Sequence, residues 1–313
     1  MLATLIIALN ACVPYIIYLG IGYISRERRL ASEDFFNKLN TFTFKLFFPC
    51  MMFYNFYNIR VEDGFDTRFA VYCVAAVYTV MGISCLIVPR LVSDRPKCGS
   101  IIQAVFRSNY LLFGVPMAEA VFGQEGSKLG AVILAFVIPI YNVMSVIILE
   151  YFHGGDVHPG KLIIDVLTTP LISGAICGSI FLLLHIPVPT CILNPVSKLS
   201  SLATPIAIIT LGGTLHFNAI GKNLRYLVPV LLARLVFIPP IAVFVAHALG
   251  FSQVETFIVL ILFATPVAAA SYPMARNLGG DGELSGQLVV LSTVLSVGTI
   301  FCWIVLLRTI GII

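Results

Sequence analysis

Ten apolar stretches, each about as long as a membrane-crossing helix and separated by short polar breaks, dominate this sequence. They run approximately over residues 3–24, 36–54, 69–89, 99–122, 128–151, 161–186, 193–216, 226–249, 254–278 and 284–308. A helix that crosses the hydrocarbon core needs about 20 apolar residues, so ten of them use most of the 313 residues and leave no room for a soluble domain. In lipid a helix satisfies its own backbone polar groups, and the pattern therefore predicts an all-α integral membrane protein with ten transmembrane helices. Composition agrees: 11% of the residues are charged, against roughly 25% in a soluble domain.

The 19 Lys and Arg are scattered through short loops, and no run of them forms a nucleic-acid-binding patch. Their positions report topology instead. The odd-numbered connections hold Arg26, Arg28, Arg29, Arg90, Arg95, Lys97, Lys161, Lys222, Arg225 and Arg276, whereas the even side holds Arg60, Arg68, Lys128, Lys198 and Arg308. The positive-inside rule puts the odd connections in the cytoplasm and both termini outside a plasma membrane, the inner membrane of a bacterium. The first span is followed, not preceded, by its positive charges, so it reads as retained and not as a cleaved signal. The eight cysteines form no CxxC pair, and His153 and His158 share only one short loop. No metal site, cofactor or disulfide framework is expected from such spacing.

Five helices per half would set the second half upside down relative to the first, and two matches support such a repeat. Residues 37–42 (NKLNTF) in the second span match 197–202 (SKLSSL) in the seventh, and Pro116-Met117-Ala118 in the fourth matches Pro273-Met274-Ala275 in the ninth. The offsets are 160 and 157 residues. The division predicted is residues 1–156 for the first five-helix repeat and 157–313 for the inverted second.

The fourth span carries Arg107, Asn109, Gly114, Pro116 and Glu119 within one apolar run. Proline removes a backbone donor, and a nearby glycine lets the chain unwind, so a break is expected at Gly114 and Pro116. The ninth span has Pro266, Ser271 and Pro273, and its matching break is expected at Pro273. Half-helix N-termini offer free N–H groups and partial positive charge at the bilayer midplane. Two oppositely directed broken helices that cross would present two such ends to an anion, with Asn109 as a neutral partner. The alternative is that Asn109 bonds between helices and the prolines only kink them.

Other polar residues in the spans carry less. Arg234 lies deep in the eighth span, where it attracts substrate or holds carbonyls freed by Pro239 and Pro240. Arg107 is expected to snorkel. Lys45 can line a pathway, and Asn142 bonds between helices or ligates an ion or substrate. Glu119, Glu150 and Asp165 lie towards segment ends and are expected to be solvated.

At these residues the sequence resembles the auxin efflux carrier family, which includes the plant PIN-FORMED carriers and bacterial malate and malonate permeases. SNYLLFGVPM (108–117) is similar to the family's fourth-helix crossover, and AASYPMARNLGGD (269–281) to its ninth. LNTFTFKLFFP (39–49), with Asn40 and Pro49, resembles the second helix, and LARLVFIPP (232–240), with Arg234 and Pro239, the eighth. The resemblance implies the inverted-repeat architecture of bile acid symporters and sodium–proton antiporters. Helices 1, 2, 6 and 7 would form a scaffold, often dimeric, and helices 3–5 and 8–10 an elevator-like transport unit. It further implies that Asn109 binds an anionic substrate between the broken helices. Two features depart from the plant carriers: the third span carries no charge, and Ala269-Ala270 replace their Gln-Gly.

The function expected is secondary transport of small organic anions by a homodimer in the lipid bilayer. The residues expected to bind substrate are Asn109, Gly114, Pro116, Pro266, Ser271, Pro273, Asn142 and Arg234. Proton or sodium coupling both remain open. A membrane-embedded solute sensor, an ion-coupled carrier of a non-anionic solute and a channel are the alternatives. No GxxxxGK[ST] motif occurs, which argues against ATP-driven pumping, and no concentrated set of acids, histidines or nucleophiles suggests an enzyme.

Overall fold

The computed structural model describes residues 2–58, 66–153, 164, 166–215 and 220–313, with residues 2–12 described by their backbone alone. Arg60, His158, Lys161 and Asp165 lie outside the described residues, as does the start of the sixth predicted span. The described chain is helical: α1 (Leu2–Glu27), α2 (Glu33–Phe42), α3 (Phe48–Tyr57), α4 (Thr67–Leu91), α5 (Arg95–Phe106), α6 (Val115–Phe152) and α7 (Pro170–Leu183). There follow α8 (Thr190–Thr214), α9 (Ile220–Leu232), α10 (Ile238–Ala248), α11 (Gln253–Ala264), α12 (Ser271–Asn277) and α13 (Gly282–Thr309). Among the described residues three π turns interrupt the α geometry. Thr43–Phe47 joins α2 to α3, Tyr110–Gly114 leads into α6, and Ala233–Phe237 joins α9 to α10.

The polar breaks seen in the sequence supply helix caps, which is why several helices extend a few residues beyond their apolar runs. Ser32 Oγ accepts from the Phe35 amide at 3.1 Å, and Asp281 Oδ1 accepts from the Leu284 amide at 2.9 Å. Ser252 and Glu255 form a reciprocal capping box on α11. Each cap satisfies amides that the first helical turn leaves unpaired.

Among the described residues five stretches are long and apolar enough to cross a membrane: Thr67–Leu91, Tyr110–Phe152, Thr190–Thr214, Ile220–Ala248 and Gly282–Thr309. The 43 residues from Tyr110 to Phe152 would extend about 65 Å if straight, twice the hydrocarbon thickness. Gly123 divides them. Its φ of 62° and ψ of −141° lie where side chains with a Cβ are strained, and the chain folds back there so that Gly126 packs on the Ala118 backbone.

Two groups of helices pack as bodies. In one, α3 packs along α7, α1 packs along α8, and α8 also meets α2 and α3. Small residues set the approach: a Cβ added to Gly178 would lie 2.6 Å from the Phe53 carbonyl oxygen, and one on Gly174 2.5 Å from that of Pro49. This four-residue spacing of glycines is the close-packing device of membrane helices. In the other group α4, α5, α6 and α9 to α13 pack together, and α11, held between α6, α10 and α13, is buried from Val254 to Ala264 except at Glu255. A helix apolar on every face belongs at a core.

Candidate functional site

Both central broken helices are interrupted where they cross, but not where the prolines alone indicate. α5 ends at Phe106, and Arg107, Ser108 and Asn109 are not α-helical before the Tyr110–Gly114 π turn begins. α11 ends at Ala264, and α12 begins only at Ser271. Pro266 therefore sits inside its break. Gly114 lies in the π turn, Pro116 occupies the first turn of α6, and Pro273 the first turn of α12. The expected breaks at Gly114–Pro116 and at Pro273 are thus corrected by about two turns each. Pro273, in the first turn of α12, removes only an amide that has no intrahelical partner there, so it starts a half-helix instead of ending one, whereas Pro116 follows a π turn that has already carried the half-helix on from Tyr110.

The two interruptions pair as an antiparallel bridge between Ser108 and Val267. The Asn109 amide donates to the Pro266 carbonyl at 2.8 Å, and the Ala268 amide to the Arg107 carbonyl at 3.4 Å. The Val267 amide donates to Ser292 Oγ of α13 at 3.0 Å, and the Ser108 and Tyr141 hydroxyls share a hydrogen bond of 3.1 Å. Two unwound segments thus satisfy one another where water is excluded.

Arg234 completes the accounting. It is 1% exposed. Nη1 donates to the carbonyls of Ala104 (3.1 Å) and Val105 (2.7 Å), and Nη2 to those of Thr265 (2.9 Å) and Pro266 (3.3 Å). These belong to the C-terminal end of α5 and to the break that follows α11, where freed carbonyls and partial negative charge collect. Of the two roles open to Arg234, the structure shows the carbonyl-holding one, but on the crossover and not on Pro239–Pro240. The π turn Ala233–Phe237 carries this side chain, and Trp303 Nε1 donates to the Leu235 carbonyl at 2.9 Å within it.

Arg107 is 4% exposed. It turns inward, donating to Asn142 Oδ1 at 2.7 Å and contacting Met274 Sδ, so the expectation that it snorkels is corrected. Snorkelling needs a stem that reaches the surface, and here the break aims Arg107 at α6 and α12. Asn142 accepts that bond between helices. Among the described residues the buried charged side chains are these two arginines, with no carboxylate.

Asn109 Nδ2 donates to the Tyr15 hydroxyl of α1 at 2.7 Å, and Tyr15 stacks edge-on to Phe113. Ser271, at the start of α12, is fully buried with no hydrogen-bond partner for its hydroxyl. Neither the N-cap Asn109 nor the N-cap Ala270 caps its half-helix with a side chain. The structure therefore brings together Asn109, Pro266, Asn142 and Arg234, with Ser271 beginning the next half-helix. Pro116 is exposed, as are Lys45 and Glu119.

Sequence reasoning missed Tyr15, Tyr141, Ser292, Met274 and the Tyr272–Thr214 hydroxyl pair (2.6 Å) that joins α12 to α8. It also passed over Asn40 in α2 as a site residue, although its side-chain amide is fully buried with neither atom bonded. The 157-residue offset carried one usable signal, since it maps Asn109 onto Pro266. Beside the crossover, a cavity of about 300 Å³ opens between the end of α3 and the middle of α6, lined by Tyr54, Asn55, Asn58 and Leu111.

The chain is 23% identical over 289 residues to a protein of Methanothermobacter thermautotrophicus described as an uncharacterized transporter, covering 92% of this chain and 94% of that one. A family model described as membrane transport protein matches residues 7–159 and again 157–304. Nearly the whole chain is covered, and the protein belongs to this membrane transport protein family.

Proposed function

We propose that this protein is a secondary carrier of small organic anions, of the auxin efflux carrier type, with its substrate at the crossover of two broken helices. The observation that carries the reading is the crossover itself: two uncapped half-helix N-termini meet at a paired break, beside two buried guanidiniums and no buried carboxylate among the described residues. Such a site favours negative charge at low dielectric. Asn109 and Ser271 contribute neutral hydrogen-bonding groups, Asn142 holds Arg107, and Arg234 keeps the crossover rigid.

In this reading ten helices form an inverted repeat, residues 1–156 and 157–313. Helices 1, 2, 6 and 7 serve as a scaffold for a homodimer, and helices 3–5 and 8–10 move as an elevator in a plasma membrane with both termini outside. Three side-chain hydrogen bonds supply contacts that such movement would exchange: Tyr15–Asn109, Thr214–Tyr272 and Asn37–Arg276. A proton or sodium gradient, or the membrane potential, supplies the drive.

The test is thermal stabilisation of the purified protein by a panel of mono- and dicarboxylates, alongside Asn109→Ala, followed by counterflow in proteoliposomes. A bound acid at 100 times its Kd stabilises by about 2.7 kcal/mol. Stabilisation of the parent, its loss in the variant, and saturable counterflow are expected. Binding without flux would indicate a sensor, and no stabilisation by any acid would overturn the anion reading.

A further inference from the structure

A second, larger cavity lies away from the crossover pairing. It is a groove of about 710 Å³ between α4 on one wall and α9 and α10 on the other. On α4 its lining runs from Tyr72 to Leu91, a rise of about 28 Å, close to the hydrocarbon thickness. On the α4 wall its hydroxyls are engaged: Tyr72 donates to the Ala242 carbonyl at 2.5 Å, Thr79 to that of Ala75 at 2.8 Å, and Ser84 to that of Val80 at 2.7 Å. A polar solute would find no free donor among these hydroxyls, so the groove suits hydrocarbon.

Charge marks one end. Arg225 lines the groove there with its guanidinium 4.5 Å above the Tyr226 ring, whereas Arg90, next to the lining residue Leu91 at the end of α4, stands outside the lining and donates to the Leu86 carbonyl of its own helix. Both arginines are exposed, and no described carboxylate pairs with either. Asp94, beside them, is paired with Lys97 at 2.8 Å. A full-height apolar slot with one unneutralised guanidinium in its lining and a second next to its end, on a stem long enough to swing towards it, matches a molecule with hydrocarbon chains and an anionic head.

We infer that this groove is a binding site for an anionic phospholipid, its headgroup held by Arg90 and Arg225 and an acyl chain laid between α4 and α10. The inner wall includes Val105, Ala233 and Phe263. Val105 gives its carbonyl to Arg234, and Ala233 precedes Arg234 in the chain. The lipid chain thus packs on the reverse side of the residues that hold the crossover, and its occupancy stiffens them. This site stands independently of which solute the crossover carries.

The experiment is native mass spectrometry of the whole protein equilibrated with equal phosphatidylglycerol and phosphatidylcholine, with melting temperatures in each lipid. The parent is expected to retain phosphatidylglycerol preferentially. At about 1 kcal/mol per surface arginine, replacing both with Gln should lower that preference about thirty-fold. Their exposure leaves the fold intact, and an unchanged melting temperature in phosphatidylcholine verifies it. Filling the groove with Ala76→Phe should displace the lipid while both arginines remain. Equal retention of the two lipids by the parent, an unchanged preference in the double variant, or full retention by Ala76→Phe would each overturn the proposal. Dimerisation through this face in place of lipid retention would do so as well.

Discussion

The backbone amide of Asn109 donates to the carbonyl of Pro266 at 2.8 Å, and these residues stand 157 positions apart, the same interval that separates Pro116 from Pro273. Two residues separated by that interval therefore meet in space. The pairing is antiparallel, and it joins the segment that leads into the Tyr110–Gly114 π turn to the one that leads into α12.

The four carbonyls on Arg234 make it the most consequential single side chain. Arg234→Met would leave the carbonyls of Ala104, Val105 and Thr265 buried without their charged donor, at about 1–3 kcal/mol for each group left unsatisfied, while that of Pro266 keeps the Asn109 amide. A loss of at least about 3 kcal/mol is expected, a large part of the stability of an ordinary domain. Arg234→Lys keeps the charge but not the fork that reaches two helix ends, and should fall between. Thermal unfolding in detergent measures both, and a loss under 1 kcal/mol in the Met variant would contradict the assigned role.

Arg107 and Asn142 are coupled by a 2.7 Å charged hydrogen bond. A double-mutant cycle with Arg107→Gln and Asn142→Ala should return a coupling of about 0.5–3 kcal/mol. Additive effects would show that the bond contributes nothing to the fold.

Tyr15 offers a milder probe of the site. Tyr15→Phe keeps the edge-on contact with Phe113 and removes the acceptor for Asn109 Nδ2. The fold should lose about 1 kcal/mol, and carboxylate binding should weaken while remaining measurable, because Asn109 is still present. Complete loss of binding would assign Tyr15 to direct substrate contact.

Gly178 tests the close approach of α7 to α3. A Cβ there falls within 2.6 Å of the Phe53 carbonyl oxygen, and backbone cannot yield as a flexible side chain does. Gly178→Ala should destabilise by about 1–3 kcal/mol, whereas Gly221→Ala, with open space around it, should not destabilise. Equal melting temperatures for the two variants would refute the packing argument.

At the loop between α4 and α5, the Lys97 ammonium holds the Asp94 carboxyl below its ordinary range. A depressed carboxylate contributes stability that is full above its unfolded value of about 3.9 and is lost as pH falls through the lower folded value. The pair is largely exposed, so the effect is about 0.5 kcal/mol. Acid melts of the parent and of Lys97→Gln should converge below that range and differ slightly above it.

Much of this was legible before any coordinates. Apolar runs located the helices, and the repeat of Pro-Met-Ala singled out the pair of chain segments that cross. Proline marks the breaks poorly here, since Pro273 sits in a first turn where the amide it removes has no partner to lose, and Pro116 follows a π turn past its break. Arg107 was misjudged for a related reason. Depth along a span was read from a continuous helix, but the extended residues after Phe106 turn the side chain inward. Tyr15 left no trace, since an aromatic in an apolar run looks like packing until a second helix brings Asn109 to its hydroxyl.

The bond from Arg234 to Ala104 joins residues 130 positions apart, and this separation has a consequence for synthesis. When the ribosome has delivered the fourth helix, the guanidinium that will hold its open end has not yet been made. The broken helix must wait in the insertion machinery, or beside water, until most of the second half has followed. A chain halted before residue 234 should be a prime substrate for quality-control proteases, however apolar its helices are.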